Sequence, residues 1–232
     1  YRGFLDEFVG RRSITGACAI HSRRFREKRF RSTPIVFVDE ITAIGRGAEL
    51  LSRKKKGFVC NIGTGTPFVF FNGHNIRHVG GTGVGGGTLA GLAKLLLDCE
   101  VEGLEKLAKN AVGDSVGDCG SLDLTVFDVV GSSVGLVPAN ATASNFGKVL
   151  AASSGREEIA KSLLKLVAES VGTSACFAAK SCGCNEIVFT GRVVDKNRFV
   201  RERLSQVTAL FGCKPIFTPN ATYCTAIGTL LV

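Results

Sequence analysis

The chain has 232 residues, 45% of them hydrophobic and 21% charged, with a formal net charge of +9. That length supports one large domain or two small lobes with a real core. No apolar run reaches the roughly 20 residues that a helical membrane span needs, so the composition is that of a globular protein.

Residues 1–16 predict a short amphipathic helix and then a strand ending near Ile14-Thr15-Gly16, and residues 17–33 are basic and irregular. Ile35-Val36-Phe37-Val38 is a β-branched and aromatic run, predicting a strand buried on both faces. It ends in Asp39-Glu40, after which Ile41, Ile44, Ala48 and Leu51 recur at helical spacing over 41–52. Phe58–Asn61 and Phe68–Asn72 read as two strands with Gly63-Thr64-Gly65-Thr66 between them, and Asn72-Gly73 marks another turn. A glycine-rich run, Gly80 to Thr88, then opens onto a helix over Leu89–Leu97, with a second helix over Val101–Lys109. Residues 112–146 are loop-rich and carry Asp114, Asp118, Asp123 and Asp128. A long amphipathic helix fits Glu157–Lys180, with Ile159, Leu163, Leu166, Val167 and Ser170 on one face. Strands follow at 186–191 and 213–218, with a helix over Asn197–Leu210 between them and a small-residue helix at 225–232. Strands alternating with helices place the chain in the α/β class.

The charge is unevenly spread: residues 1–57 carry a net +8 and residues 58–232 a net +1. Arg23-Arg24-Phe25-Arg26 and Arg53-Lys54-Lys55-Lys56 could meet nucleic acid or anionic lipid. No nucleic-acid motif accompanies them, and a solvated surface is the reading we adopt. Nine cysteines, irregularly spaced and mostly within apolar segments, read as free thiols in a reducing cytoplasm. Cys182 and Cys184 lie two apart with no histidine nearby, so no metal site is assigned.

Three features carry chemistry. Six glycines fall within residues 80–87, directly before a helix, where backbone N–H groups and the helix dipole favour a phosphate. Gly81-x-Gly83-x-x-Gly86 matches a dinucleotide fingerprint by letter, but the flanking strand–turn–strand pattern does not; no Gly-Lys-[Ser/Thr] of a Walker loop occurs. The Gly63–Thr66 turn offers hydroxyls and N–H groups to a second phosphate position. Glu40, at the end of a strand, is placed either to take a proton from a hydroxyl or to stabilise a helix start by the dipole. On pattern alone the two are equal.

In order, Val38-Asp39-Glu40-Ile41-Thr42-Ala43-Ile44-Gly45, Asn61-Ile62-Gly63-Thr64-Gly65-Thr66 and Val79 to Thr88 resemble the type II pantothenate kinases. The similarity continues at Gly113-Asp114, Thr142-Ala143-Ser144-Asn145-Phe146-Gly147, Ile187-Val188-Phe189-Thr190-Gly191 and Ala226-Ile227-Gly228. The resemblance implies an actin-like ATPase (ribonuclease H-like) fold, with residues 1–57 a basic remainder of an N-terminal lobe and 58–232 the C-terminal lobe holding the cleft. The family's opening Asp-x-Gly-Gly-Thr-like loop has no counterpart here, so the N-terminal lobe is expected to be incomplete. The implied activity is ATP-dependent phosphorylation of pantothenate, the first step toward coenzyme A, with Mg2+ accompanying ATP, in a cytoplasmic homodimer open to acyl-CoA feedback. Glu40 becomes the catalytic base. Thr64, Gly86, Gly87, Thr88, Leu89, Ala90 and Arg192 become the ATP contacts. Where the family carries an arginine before Val-x-Gly, this chain has His78 with Arg77 before it, and both are assigned to the acceptor. A kinase of the same fold acting on another small hydroxyl compound, or a non-catalytic nucleotide- or acyl-CoA-binding regulator, stays open beside this reading.

Overall fold

The computed structural model describes residues 14–18, 29–30, 33–73, 75–111, 122–151 and 155–232. The helix expected before residue 14, the Arg23–Arg26 run, Gly113-Asp114 and Asp118 lie outside the described residues. Strands β1 (Ile14–Cys18), β2 (Arg29–Phe30) and β3 (Thr33–Asp39) form a small sheet in the order β1-β3-β2. Val36 and Phe37 are 48% and 42% exposed, so the described residues do not cover this run on both faces as expected.

The main sheet is built from β4 (Lys56–Asn61), β5 (Thr66–Asn72), β6 (Asn75–Thr82), β9 (Glu186–Thr190) and β10 (Lys214–Phe217), in the order β10-β9-β4-β5-β6. The first three form an antiparallel meander, and β9 and β10 run parallel to β4. This order and polarity are those of a ribonuclease H-like lobe, as expected. The sequence does not signal strand β6, because the strand ends in the glycine run: Gly80 and Gly81 pair with Phe68 and Pro67 across a register shift. A Cβ at Gly81 would lie 2.7 Å from the Thr66 carbonyl oxygen, so the glycine is needed for the pairing itself.

Alternation along the strands feeds two cores. Phe58, Cys60, Phe68, Ile187 and Phe189 point to a face covered by α2 (Gly86–Leu97), α3 (Val101–Ala108), α5 (Arg156–Ser181) and α7 (Arg198–Leu210), which follow α1 (Glu40–Ser52), α4 (Val126–Val130) and α6 (Arg192–Lys196) in chain order. Val59, Val69, Phe71 and Val188 point to the other face and meet Ile44 and Ala48 of α1 and Cys224 of α8 (Cys224–Thr229). Burial on both faces explains why β4 and β5 read as unbroken apolar runs.

Helix α1 starts where the Asp39 carboxylate accepts from the Thr42 N–H at 2.8 Å and from the Thr42 hydroxyl at 2.9 Å. It crosses α8 at backbone contact. A Cβ at Gly47 would sit 1.9 Å from the Cys224 carbonyl oxygen, and one at Gly228 would sit 1.7 Å from that of Ala43. Gly228→Val therefore forces the helices apart, and we expect a stability loss of at least about 2 kcal/mol, read as a lower urea midpoint. An unchanged midpoint would contradict this seating of α1.

Helix α5 matches the expected span to within one residue at each end but is buried far more widely than one face. Lys161 and Lys165 lie inside it, 2% and 0% exposed. The Lys165 ammonium pairs with the buried Asp123 carboxylate at 2.7 Å. The strands β7 (Leu124–Thr125) and β8 (Thr142–Ser144), with α4 between them, make a small arm over this part of α5.

Candidate active site

Two cavities open at one end of the main sheet, and the Gly63-Thr64 turn is part of both walls. The first, about 520 Å³, is lined by Glu40 and Ile41 from α1, Asn61 through Pro67 apart from Ile62, His78, Gly81 and Thr82. The second, about 780 Å³, is lined by the start of α2 (Gly86, Gly87, Ala90), by Glu100 through Glu102 and Glu105, and by Arg192, Val193, Lys196 and Asn197. Strand ends deliver the first set, and helix starts deliver the second. Glycine at 191, with φ +101, lets β9 pass into α6, where a Cβ would strike the Ile62 carbonyl at 2.2 Å.

The turn between the cavities is locked in place. Its Gly63 and Thr64 carbonyls accept from the N–H groups of Gly86 and Gly87 at 2.8 and 2.9 Å. The Thr66 hydroxyl donates to the Val84 carbonyl at 2.8 Å. Cβ atoms at Gly85, Gly86 and Gly87 would each lie 2.8–2.9 Å from a carbonyl of this turn. The glycines thus serve a loop-to-loop contact, and the N–H groups of Gly86 and Gly87 are spent on it. The N–H groups of Thr64 and Gly65 have no partner among the described residues, and the Thr64 side chain is exposed. These are the donors left to face an anion.

The expected site residues separate accordingly. Glu40, His78 and Thr64 share the first cavity, and Thr64, Gly86, Gly87, Ala90 and Arg192 share the second. Thr88 is turned into its own loop, its hydroxyl accepting from the Gly85 N–H at 3.2 Å and donating to the Gly83 carbonyl at 3.1 Å. Leu89 is fully buried in the core, and its N–H donates to the Gly85 carbonyl at 3.0 Å. Arg77 faces the opposite side of the sheet from His78, over the Phe70 ring at 5.2 Å and toward the Cys182 sulfur at 3.9 Å. Adjacent strand residues point to opposite faces, so only one of the pair reaches the Glu40 cavity. The Arg192 guanidinium is ion-paired with Glu102 across the mouth of the second cavity.

From sequence, Asn61 and the acidic lining at Glu100, Glu102 and Glu105 receive no role in this site. Asn61 carried the same signal as Glu40, a polar residue ending an apolar strand. Behind the site, burial pushes the Cys60 thiol well above its usual range and the Cys224 thiol up to about 11, so both stay protonated and inert.

The Fumble family's sequence model matches residues 57–232. A type II pantothenate kinase of Staphylococcus epidermidis (strain ATCC 12228 / FDA PCI 1200) is 32% identical over 207 residues, covering 85% of this chain and 76% of that protein. The type II pantothenate kinase of Staphylococcus aureus (strain USA300) is 33% identical over 175 residues, 73% of this chain and 63% of that one. A ROK family glucokinase from Streptomyces griseus, solved with glucose and AMPPNP, overlays with a TM-score of 0.49 at 12% identity, covering 85% of this chain and 67% of that one. Family match and overall identity agree: the chain belongs to the Fumble family of type II pantothenate kinases.

Proposed function

We propose that this chain transfers the γ-phosphoryl group of ATP to the primary hydroxyl of pantothenate, releasing ADP and 4'-phosphopantothenate. The observation that carries the reading is the shared wall: one Gly-Thr turn separates a cavity holding the Glu40 carboxylate from a cavity formed by a helix start, two cations and three glutamates. Phosphoryl transfer needs such a division, with the acceptor on one side, the nucleotide on the other and the phosphate at the boundary.

In this reading the Thr64 and Gly65 N–H groups hold the terminal phosphate, and Glu40 takes the proton as the acceptor oxygen attacks phosphorus. The bond from phosphorus to the β,γ-bridging oxygen breaks, and that oxygen leaves with ADP. His78 binds the acceptor on the face that Arg77 does not reach. Gly86, Gly87 and Ala90 contribute shape to the nucleotide side, and Arg192 contributes charge once released from Glu102. Among the described residues no group of three His, Cys, Asp or Glu side chains converges as a metal cage. Mg2+ carried in on the phosphates would need at most one or two carboxylates from the chain. Mg2+ there would offset charge on the transferring group.

The division into a remainder of an N-terminal lobe at 1–57 and a cleft-bearing lobe at 58–232 belongs to the same reading, with α1 of the first segment packed on the main sheet of the second. So does a homodimer, which would cover the exposed Phe127, Val129, Val134 and Leu136 of the α4 arm. Acyl-CoA is proposed as a feedback ligand on the strength of the resemblance alone. A reducing compartment, the cytoplasm, suits the free cysteines. No helix among the described residues is long and apolar enough to cross a membrane.

The test is mass spectrometry of a reaction with ATP and a panel of small alcohols. We expect one phosphoryl group to be added to pantothenate at a far higher kcat/KM than to any other alcohol. Efficient transfer to a different alcohol, with pantothenate left unchanged, would overturn the substrate assignment.

A further inference from the structure

We propose that Asn61 is a catalytic hydrogen-bond donor to the transferring phosphoryl group, held in its donating orientation by Thr190; this rests on the kinase reading above. Asn61 ends β4 directly before the shared turn and is 8% exposed, with its surface on the Glu40 cavity. Its neighbour in the parallel ladder is Thr190, the last residue of β9. The Thr190 hydroxyl, fully buried, donates to the Asn61 side-chain carbonyl at 2.9 Å.

In this arrangement the amide oxygen faces β9 and the amide nitrogen faces the cavity side. A threonine hydroxyl has a single proton to give. The Thr190 proton is directed at Asn61, whose oxygen is turned toward β9. The amide nitrogen is turned the other way, about 3.9 Å from where a Cβ on Gly63 would sit, and has no partner among the described residues. A nearly buried N–H2 beside two unpartnered backbone N–H groups makes a third donor on the Glu40 side of the shared turn. Charge on the equatorial phosphoryl oxygens is what such fixed donors stabilise in the transition state. An amide supplies that donation without adding a negative charge, which a carboxylate at this position would do.

The decisive variant is Asn61→Asp, which keeps the shape and the acceptor for Thr190 but replaces N–H2 with a negatively charged oxygen. Steady-state kinetics with ATP and pantothenate should show kcat lower by about 100-fold, with KM for each substrate within about threefold of wild type. Thr190→Val should lower kcat by about 10-fold at unchanged KM, and Thr190→Ser, which retains the hydroxyl, should restore it. A kcat for Asn61→Asp within threefold of wild type would overturn the proposal, whether or not the Thr190 variants fold. So would a loss confined to KM for the alcohol, which would make Asn61 an acceptor-binding group. A wild-type chain that phosphorylates no alcohol would remove the kinase reading, and this inference with it. An active wild type with an unaffected Asn61→Asp removes this inference alone.

Discussion

Glu40→Gln is expected to lower kcat by about 10²- to 10⁴-fold, the range that a positioned general base contributes, while leaving KM for ATP nearly unchanged. Glutamine preserves the volume, the first turn of α1 and the Asp39 cap, but it cannot take a proton. The competing role is electrostatic, a negative charge at a helix start, worth about 0.3–1 kcal/mol of stability. The catalytic role corresponds to about 3–5 kcal/mol of barrier, at roughly 1.4 kcal/mol per factor of ten. The two therefore differ in size as well as in kind. Rate and urea midpoint measured on the same preparation separate them: we expect a large change in kcat and at most a small one in midpoint. A kcat within threefold of wild type, with a shifted midpoint, would leave Glu40 a helix-start acid and nothing more.

Lys165→Met should cost about 3–5 kcal/mol of stability, the largest single effect we expect away from the cavities. Both partners of the Lys165–Asp123 pair are fully buried, so removing the cation strands a carboxylate in apolar surroundings. Asp123 has a second duty: its other oxygen accepts from the Phe146 N–H at 2.9 Å. Phe146 has φ +59, a left-handed conformation that costs a non-glycine residue roughly 1–2 kcal/mol and must be held by its surroundings. The double variant Lys165→Met/Asp123→Asn keeps an acceptor for Phe146 and removes the stranded charge. It should recover at least about half of the loss in a urea titration. A double variant no more stable than Lys165→Met would show that the cost lies in packing around position 165 rather than in the unpaired charge.

This network gives physical content to Thr142-Ala143-Ser144-Asn145-Phe146-Gly147, whose role sequence did not reveal. Glu169 of α5 accepts from the Thr142 hydroxyl and the Asn145 amide, each at 2.9 Å, and is ion-paired with Arg203 of α7. The segment is tied to α5 by two carboxylates, one from each side. The bonds span 24 and 27 residues along the chain, which local pattern cannot show.

What was legible in the sequence was whatever depends on short-range period or punctuation. The strand ending in Asp39-Glu40, the β4–β5 pair and the long α5 helix follow from apolar spacing and from glycine at the turns. What was not legible depends on register and on partners far along the chain. The glycine run hid strand β6, because glycine signals both a loop and a close strand contact, and Gly81 serves the second. Arg77 and His78 look equivalent as letters, yet pairing His78 with Val69 and Arg77 with Phe70 sends them to opposite faces. Lys165 interrupts an apolar helix face and reads as a boundary residue until Asp123, 42 positions earlier, is seen beside it. Asn61 reads as a strand end, because its hydrogen-bond partner Thr190 comes from β9, far along the chain.

Phosphoryl transfer in this chain rests on the shared Gly63-Thr64 wall. A crystal structure with the β,γ-imido analogue of ATP and pantothenate would test it directly. We expect the purine and ribose in the cavity of Ala90, Val101 and Arg192, the terminal phosphate at the Thr64 and Gly65 N–H groups, and the pantothenate hydroxyl beside Glu40. A nucleotide lying in the Glu40 cavity, or a terminal phosphate separated from the acceptor hydroxyl by the turn, would contradict it.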